Sequence, residues 1–187
     1  MNDKLTATDR VEASTGYNTQ PNDTMSIEGY YTAVCYDSNG NVKWEEDIHN
    51  VVCTVGKNAT LDGILGNTAQ GAVVMGLKGT GTAVAADTMT SHATWLEVGL
   101  ANAPTYSGNR PTPSFSAASA GSKATSSAVS FTITGTGTVA GCFINIGGSA
   151  TKDTTTGILF SAGDFSSPKS VVNGDTIAVT YTSTLTG

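Results

Sequence analysis

The chain has 187 residues, 13% of them charged and 39% hydrophobic, a length that supports one full domain, or a smaller domain with an arm, rather than two. Its formal net charge of −6 lies entirely in residues 1–50, where nine acidic residues accompany three basic ones, so residues 51–187 are formally neutral. An acidic front end and a neutral body cannot neutralise a phosphate backbone, which argues against nucleic acid as a partner.

The first segment, residues 1–25, is predicted to be a polar N-terminal arm. Gly16, Asn18 and the run Gln20-Pro21-Asn22 interrupt any regular period, so the segment alone could not bury enough surface to offset its ordering entropy. Two interpretations stay open: the arm packs along another subunit, or it folds back on its own domain. Because the chain has no signal-like or membrane-spanning apolar run, we expect a protein made and retained in the cytoplasm, with no membrane partner.

The stretch from residue 27 to residue 48 predicts a β-hairpin. Asp37-Ser38-Asn39-Gly40-Asn41 separates two runs rich in aromatic and β-branched residues, and Asn-Gly is the strongest short signal for a two-residue type I′ turn. With Asn39 and Gly40 as the loop, one face is mostly apolar and the other mostly charged. The predicted pairs are Tyr31 with Ile48, Ala33 with Glu46 and Cys35 with Trp44 on the apolar face, and Thr32 with Asp47, Val34 with Glu45 and Tyr36 with Lys43 on the charged face.

The hairpin is followed by signals for a helix, two strands and a helical turn. Residues 49–55 continue as an extended apolar run. Residues 56–66 predict a short helix that covers one end of a sheet, because Leu61, Ile64 and Leu65 follow i, i+3, i+4 spacing and would form one buried stripe. Residues 72–77 predict a buried strand and residues 95–98 another extended run. Between them, residues 87–92 begin with a capping Asp87 and predict a single helical turn.

Residues 101–125 predict a long loop, because prolines and glycines interrupt them repeatedly. A loop of this length in a compact domain is usually functional or follows a neighbour's surface. Strand signals return in the last third of the chain. Residues 129–134 alternate, residues 139–146 are apolar on both faces as in a central strand, residues 157–160 form a short run, and Asn173-Gly174-Asp175 turns the chain into alternating residues 177–182.

These elements predict an all-β fold. They amount to roughly eight strands at the short spacing typical of sandwiches and jelly rolls. The predicted architecture is therefore an antiparallel β-sandwich or jelly roll with one or two short helices. Residues 1–25 form its arm and residues 26–187 its domain.

Candidate chemistry is sparse in this sequence. His49 and Cys53 would share a strand face, with Cys35 on a nearby strand, but the close paired spacing of a structural zinc site is missing. Cys35, Cys53 and Cys142 are therefore predicted to be buried free thiols, His49 a surface imidazole and His92 a polar cap residue. No metal or cofactor is expected.

The acidic run Glu45-Glu46-Asp47 is the remaining catalytic candidate. Paired carboxylates can cleave glycosides across a cleft, but acids along an edge strand more often form a solvated face that discourages aggregation. The sequence offers no nucleophile positioned by a base. We expect no enzyme and no catalytic, cofactor-binding or metal-binding residues.

Three blocks of the chain resemble a known family. The similarity spans most of residues 29–182 and is to small structural proteins of tailed-bacteriophage virions. Its motifs are specific for that group but not for one position in the particle, and the best placement is a head decoration (cement) protein resembling the jelly-roll cement proteins that clamp capsomers. The blocks are residues 36–46 (Tyr-Asp-Ser-Asn-Gly-Asn-Val-Lys-Trp-Glu-Glu) with 49–52 and 54–58, residues 81–89 with 91–93, and residues 161–165 with 172–176.

The resemblance implies a passive structural role. It implies a bacteriophage capsid decoration protein that is synthesised in the host cytoplasm, binds the outer surface of the major capsid protein shell and self-associates as a dimer or trimer. Two alternatives stay open. One is a tail-fibre or receptor-binding subunit, for which Tyr106 and Arg110 in the proline-rich loop would be the glycan-contacting candidates, and the other is a tail-tube subunit.

Overall fold

The computed structural model describes residues 25–66 and 68–187. The predicted arm, apart from Met25, lies outside the described residues. The fold is all-β and antiparallel, and the described residues form nine strands and one helix. These are β1 (Ser26–Tyr36), β2 (Val42–Val52), α1 (Thr54–Leu65), β3 (Val73–Lys78), β4 (Glu97–Val98), β5 (Ser122–Ala124), β6 (Val129–Thr132), β7 (Gly137–Ile146), β8 (Ile158–Val171) and β9 (Thr176–Thr186).

The strands form one curled sheet, a half-barrel, in the order β4-β3-β7-β8-β2-β1-β9-β5, with β6 also paired to β9. The curl brings the inner face of β1, β6 and β9 against the inner face of β3 and β7, so both halves share a single core. Alternating residues of each strand enter this core, as the period of two requires. Its members include Tyr31, Leu77, Phe131, Ile144 and Ile177.

The β1–β2 hairpin has the predicted register but not the predicted turn. Tyr31 pairs with Ile48, Ala33 with Glu46 and Cys35 with Trp44. The loop is one residue longer than the expected Asn39-Gly40 turn. The Gly40 amide donates to the Asp37 carbonyl at 3.0 Å, the Asp37 amide donates to the Asn41 carbonyl at 2.8 Å, and Gly40 has a left-handed φ of 85°.

This hydrogen-bonding pattern belongs to a three-residue loop with a glycine bulge. The predicted pairing of Tyr36 with Lys43 is therefore wrong, since Tyr36 pairs with Val42. A second bulge between Cys35 and Tyr36 restores the expected register. The Asp37 side chain fixes the loop by accepting the amides of Asn39 and Asn41 at 2.8 and 2.9 Å.

A second core lies on the outer face of β7 and β8. Trp95, Met89 and Ala83 from the 79–96 loop cover Phe143 of β7 and Leu159 of β8. This cover explains why β7 is apolar on both faces, and the prediction of a central strand at residues 139–146 is confirmed, because β7 lies between β3 and β8.

The helix α1 exists, but its predicted orientation is wrong. Leu61, Ile64 and Leu65 are 43, 62 and 80% exposed, whereas Gly56 and Ala59 are buried. The cause is close backbone contact: a Cβ on Gly56 would lie 2.4 Å from the carbonyl oxygen of Phe160 in β8. The helix approaches the sheet through its small residues, and its larger apolar side chains point outward.

The segments at residues 87–92 and 157–160 differ from their predicted structures. The predicted helical turn at residues 87–92 is absent from the described structure, where the Asp87 carboxylate binds other groups instead. It accepts the Val84 amide and the Trp95 indole N–H, both at 2.9 Å. The predicted short run at 157–160 is the start of the 14-residue β8. Pro168 interrupts the strand signal, because proline has no backbone N–H to donate to a neighbouring strand. It lies between Asp164 and Lys169, where the register with β7 shifts, so the missing N–H is tolerated.

The three cysteines are free and buried, as predicted. Burial raises the pKa of Cys35 and Cys53 to about 11 and that of Cys142 to about 12. Because the thiolate is the reactive form, we expect all three to react with a disulfide reagent at least about a hundredfold more slowly in the folded chain than in urea. An Asn39→Cys variant, with its new thiol on the exposed loop, is the fast-reacting control. A native thiol that reacts as fast as this control would contradict the buried placement.

Candidate interaction surface

The acidic run on β2 is divided between the two faces of the sheet. Glu46 bonds to Lys169 at 2.6 Å and accepts the Ser166 amide, which ties β2 to β8. Burial opposes ionisation of Glu46, but these bonds outweigh it and lower its pKa. Glu45 and Asp47 are exposed on the opposite face, where the Thr32 hydroxyl donates to Asp47 at 2.5 Å. The run therefore supplies one structural bond and a solvated outer face.

The candidate metal ligands Cys35, His49 and Cys53 do not lie close together in the structure. Cys35 belongs to the inner core and Cys53 to the outer core, while His49 is exposed on β2. His92 stacks on Trp95 with ring centroids 4.1 Å apart, and its Nδ1 lies 2.9 Å from the Trp95 carbonyl oxygen. Across the residues that the structure describes, no group of three or more histidine, cysteine or acidic side chains is placed to hold a metal ion.

Tyr106 and Arg110 do not form an exposed pocket, so this candidate for glycan contact is wrong. Both are buried, at 3 and 2% exposure. The Arg110 guanidinium binds both carboxylate oxygens of Glu97 at 2.8 and 2.5 Å. It also donates to the carbonyls of Ser149 and Thr154 at 3.0 and 2.8 Å. Arg110 therefore fastens the long 101–121 loop to the loop that joins β7 and β8.

Two buried lysines hold loops of the same region. Lys152 donates to the carbonyls of Gly99 and Tyr106 at 2.8 and 2.6 Å, and its ammonium lies 4.1 Å from the centroid of the Tyr106 ring. Burial is the main reason that the pKa of Lys152 is lowered. Lys78 is fully buried and bonds to Asp164 of β8 and to the Gly81 carbonyl. These two cations are buried and tie neighbouring loops of the domain together.

An apolar cavity of about 350 Å³ opens where the two halves of the sheet diverge. It is lined by residues of β1, β3, β7, β8 and β9, by Thr60 of α1 and by residues of the 115–123 segment. A space of this size, lined mostly by aliphatic and aromatic side chains, can take an apolar group of a ligand or of a polypeptide. Its apolar lining residues are Ile27, Val73, Phe115, Ala118, Ile144, Ile146, Phe160 and Leu185.

One residue of α1, Thr60, lines this cavity, and Ile64 follows it by one helical turn. Together with Leu61 and Leu65, Ile64 forms an exposed apolar surface that we call the helix patch. Sequence reasoning recognised these residues as apolar but assigned them to the core. Gly56, three residues from Ala59, was the available signal that the helix contacts the sheet by a different side.

Comparisons with known proteins give no relative: no family model, no curated protein and no solved structure matches the chain. Among the helices of residues 25–66 and 68–187, none has the length and hydrophobicity needed to cross a membrane.

Proposed function

We propose that this chain is a capsid decoration protein of a tailed bacteriophage, which binds the outer surface of the major capsid protein shell and stabilises it through protein–protein contacts. The proposal draws on the resemblance to phage structural proteins of residues 36–46, 49–52 and 54–58, residues 81–89 and 91–93, and residues 161–165 and 172–176. It also draws on the surface of the domain. A protein of this kind needs no reaction centre, but it does need a face that gains free energy when another protein covers it.

The helix patch is the observation that carries this proposal. Leu65 is 80% exposed and Ile64 is 62% exposed, on a helix whose buried residues are Gly56 and Ala59. Fully burying a side chain of this kind contributes about 1.5 to 3 kcal/mol. A partner that covers the patch would therefore gain substantial affinity from a small area.

The remaining surface suits repeated weak contacts. Serine and threonine side chains and exposed backbone can form hydrogen bonds without the entropy cost of ordering long charged side chains. Many copies on one shell would then add their modest contributions, and a dimer or trimer would multiply the contacts of each copy. Residues 1–25 would extend the footprint of each subunit on the shell.

The helix patch gives a direct test on particles that lack this protein. Replacing Ile64 and Leu65 by serine should weaken binding to the shell at least about tenfold, because two apolar side chains lose their burial. The free protein should keep its melting midpoint, since both side chains are exposed. The matched control replaces Lys57 and Asn58, exposed on the same helix, by serine and should bind normally. Equal binding by both variants would remove the helix patch from the proposal.

Copy number separates this assignment from its alternatives. Gel densitometry of purified particles should give hundreds of copies for a shell protein, and truncation of residues 1–25 should reduce that occupancy while leaving the domain folded. A handful of copies would indicate a tail fibre or receptor-binding subunit. Hundreds of copies on isolated tails instead of heads would indicate a tail-tube subunit.

A further inference from the structure

The apolar cavity collects large apolar side chains that the described residues leave partly exposed. Five of its lining residues share this exposure: Val73, Phe115, Ile146, Phe160 and Leu185. Exposed apolar side chains usually occur singly on a protein surface, whereas these line one concavity of about 350 Å³. This volume lies at the lower end of the range of small-molecule pockets, roughly 300 to 1,000 Å³. The cavity therefore has the size and the lining of a site for one small apolar group.

The polar side chains of the lining are already engaged by the chain itself. Its four hydroxyl groups each have a hydrogen-bond partner among the described residues: they belong to Thr60, Ser122, Tyr181 and Ser183. Thr60, for example, donates to the Gly56 carbonyl at 3.0 Å, and Ser183 donates to the Glu28 carbonyl at 3.2 Å. Because these donors are occupied, the wall selects for an apolar ligand body rather than for a hydroxyl-rich one such as a sugar.

One cation stands at the opening of the cavity. Lys123 is exposed, and it is the one charged residue among the described residues of the lining. Its ammonium donates to the Ser116 carbonyl at 3.0 Å and lies 5.9 Å from the centroid of the Phe115 ring, which itself lines the cavity. An ammonium carries three N–H donors, so a donor remains for an anion at this position. The lining is thus apolar inside and positively charged at the opening.

We propose that the cavity binds a single-chain alkyl carboxylate, a medium-chain fatty acid, with its alkyl chain inside and its carboxylate on the Lys123 ammonium. The apolar lining requires the alkyl chain, and the charge of Lys123 requires a negative head group. The proposed ligand is the free acid and not the surface of a bilayer, because the concavity encloses one chain. This inference concerns the chain alone and holds whether or not it binds a capsid.

A chain-length series tests the apolar part of the site. Isothermal titration calorimetry of the full-length chain with octanoate, decanoate and dodecanoate, at neutral pH and below the concentrations at which micelles form, gives the three affinities. Each added methylene group should tighten binding about fourfold, the usual effect of burying one CH₂ group. No binding of dodecanoate, or an affinity that does not rise with chain length, would overturn the proposal.

The head group is tested by Lys123→Met, which removes the charge and keeps an unbranched side chain. This variant should bind dodecanoate about threefold to fivefold more weakly, the effect expected of an exposed ion pair, and should bind dodecanol as tightly as the unmodified chain does. The matched control is Lys57→Met, which removes an exposed cation that does not line the cavity and should leave both affinities unchanged. An unchanged affinity of Lys123→Met for dodecanoate, or an equal loss for dodecanol, would overturn the assigned head-group contact.

Sedimentation with vesicles separates the free acid from a membrane surface. Vesicles of phosphatidylglycerol, which are anionic, should retain no more of the full-length chain than vesicles of phosphatidylcholine, because the alkyl chains of a bilayer are not presented singly to the cavity. Selective retention on phosphatidylglycerol that Lys123→Met abolishes would overturn the choice of a free carboxylate.

Discussion

Replacing Arg110 by methionine is expected to lower the free energy of unfolding by about 3 to 5 kcal/mol, the usual cost of removing one partner of a buried ion pair. The variant leaves the Glu97 carboxylate, only 6% exposed, without its cation. It also removes the donors that the Ser149 and Thr154 carbonyls receive at 3.0 and 2.8 Å. Urea unfolding of the full chain at neutral pH measures the loss.

Two controls show whether the ion pair itself is responsible. The double variant Arg110→Met with Glu97→Leu removes both charges and should be more stable than Arg110→Met alone, because no buried carboxylate is left unpaired. Lys57→Met removes an exposed cation and should change stability by no more than about 0.5 kcal/mol. If the double variant were the less stable of the two, the explanation by an uncompensated charge would be wrong.

Trp95→Ala is expected to destabilise the chain by about 3 to 5 kcal/mol, as large-to-small changes of buried aromatics do. Trp95 is 2% exposed, and its ring centroid lies 5.6 Å from that of Phe143 and 4.1 Å from that of His92. Its indole N–H donates to Asp87 at 2.9 Å. The alanine variant removes the centre of the outer core and one of the two hydrogen bonds that the Asp87 carboxylate accepts, so the 79–96 loop should loosen. Denaturant unfolding measures the loss in the free energy of unfolding, and hydrogen exchange shows which residues become less protected.

The second tryptophan is the matched control. Trp44 is only half-buried, packs against Phe165 with ring centroids 5.2 Å apart, and its indole nitrogen has no partner among the described residues. Trp44→Ala should therefore cost less than Trp95→Ala. Trp95→Phe, which keeps an aromatic ring but loses the hydrogen bond, should fall between Trp95→Ala and the unmodified chain. An equal or greater loss at Trp44 would contradict the importance assigned to the outer core.

The β1–β2 hairpin shows that a local sequence pattern predicts strand register better than turn type. Alternation predicted which residues of β1 and β2 face each other, because a one-residue slip would have moved Tyr31 and Ile48 away from the core. The turn was less well determined. Asp37 competes with the Asn-Gly pair by accepting two loop amides, and the register shift between Cys35 and Tyr36 then recovers the expected pairing. Alternation constrains the register of several paired residues at once, whereas the loop depends on a few local hydrogen bonds.

The candidate surface could not be predicted in the same way. Spacing identified Leu61, Ile64 and Leu65 as one apolar face of a helix, but spacing does not say which face meets the sheet. The close approach of Gly56 to the backbone of Phe160 decides that, and it depends on where β8 lies. Arg110 was assigned to an exposed loop for a similar reason: its partner Glu97 is 13 residues away in sequence, and neither residue signals the pairing by itself.

The sequence by itself determined that this chain is an antiparallel β protein and where its alternating segments form strands, because both follow from the period of two. It also determined that the cysteines are buried thiols, which follows from composition. Only the tertiary structure decided which apolar face stays outside, where the halves of the sheet separate to leave a cavity, and which charges are buried in pairs. Those outcomes depend on contacts between segments far apart in the chain, and residue spacing along one segment carries no information about its distant partner.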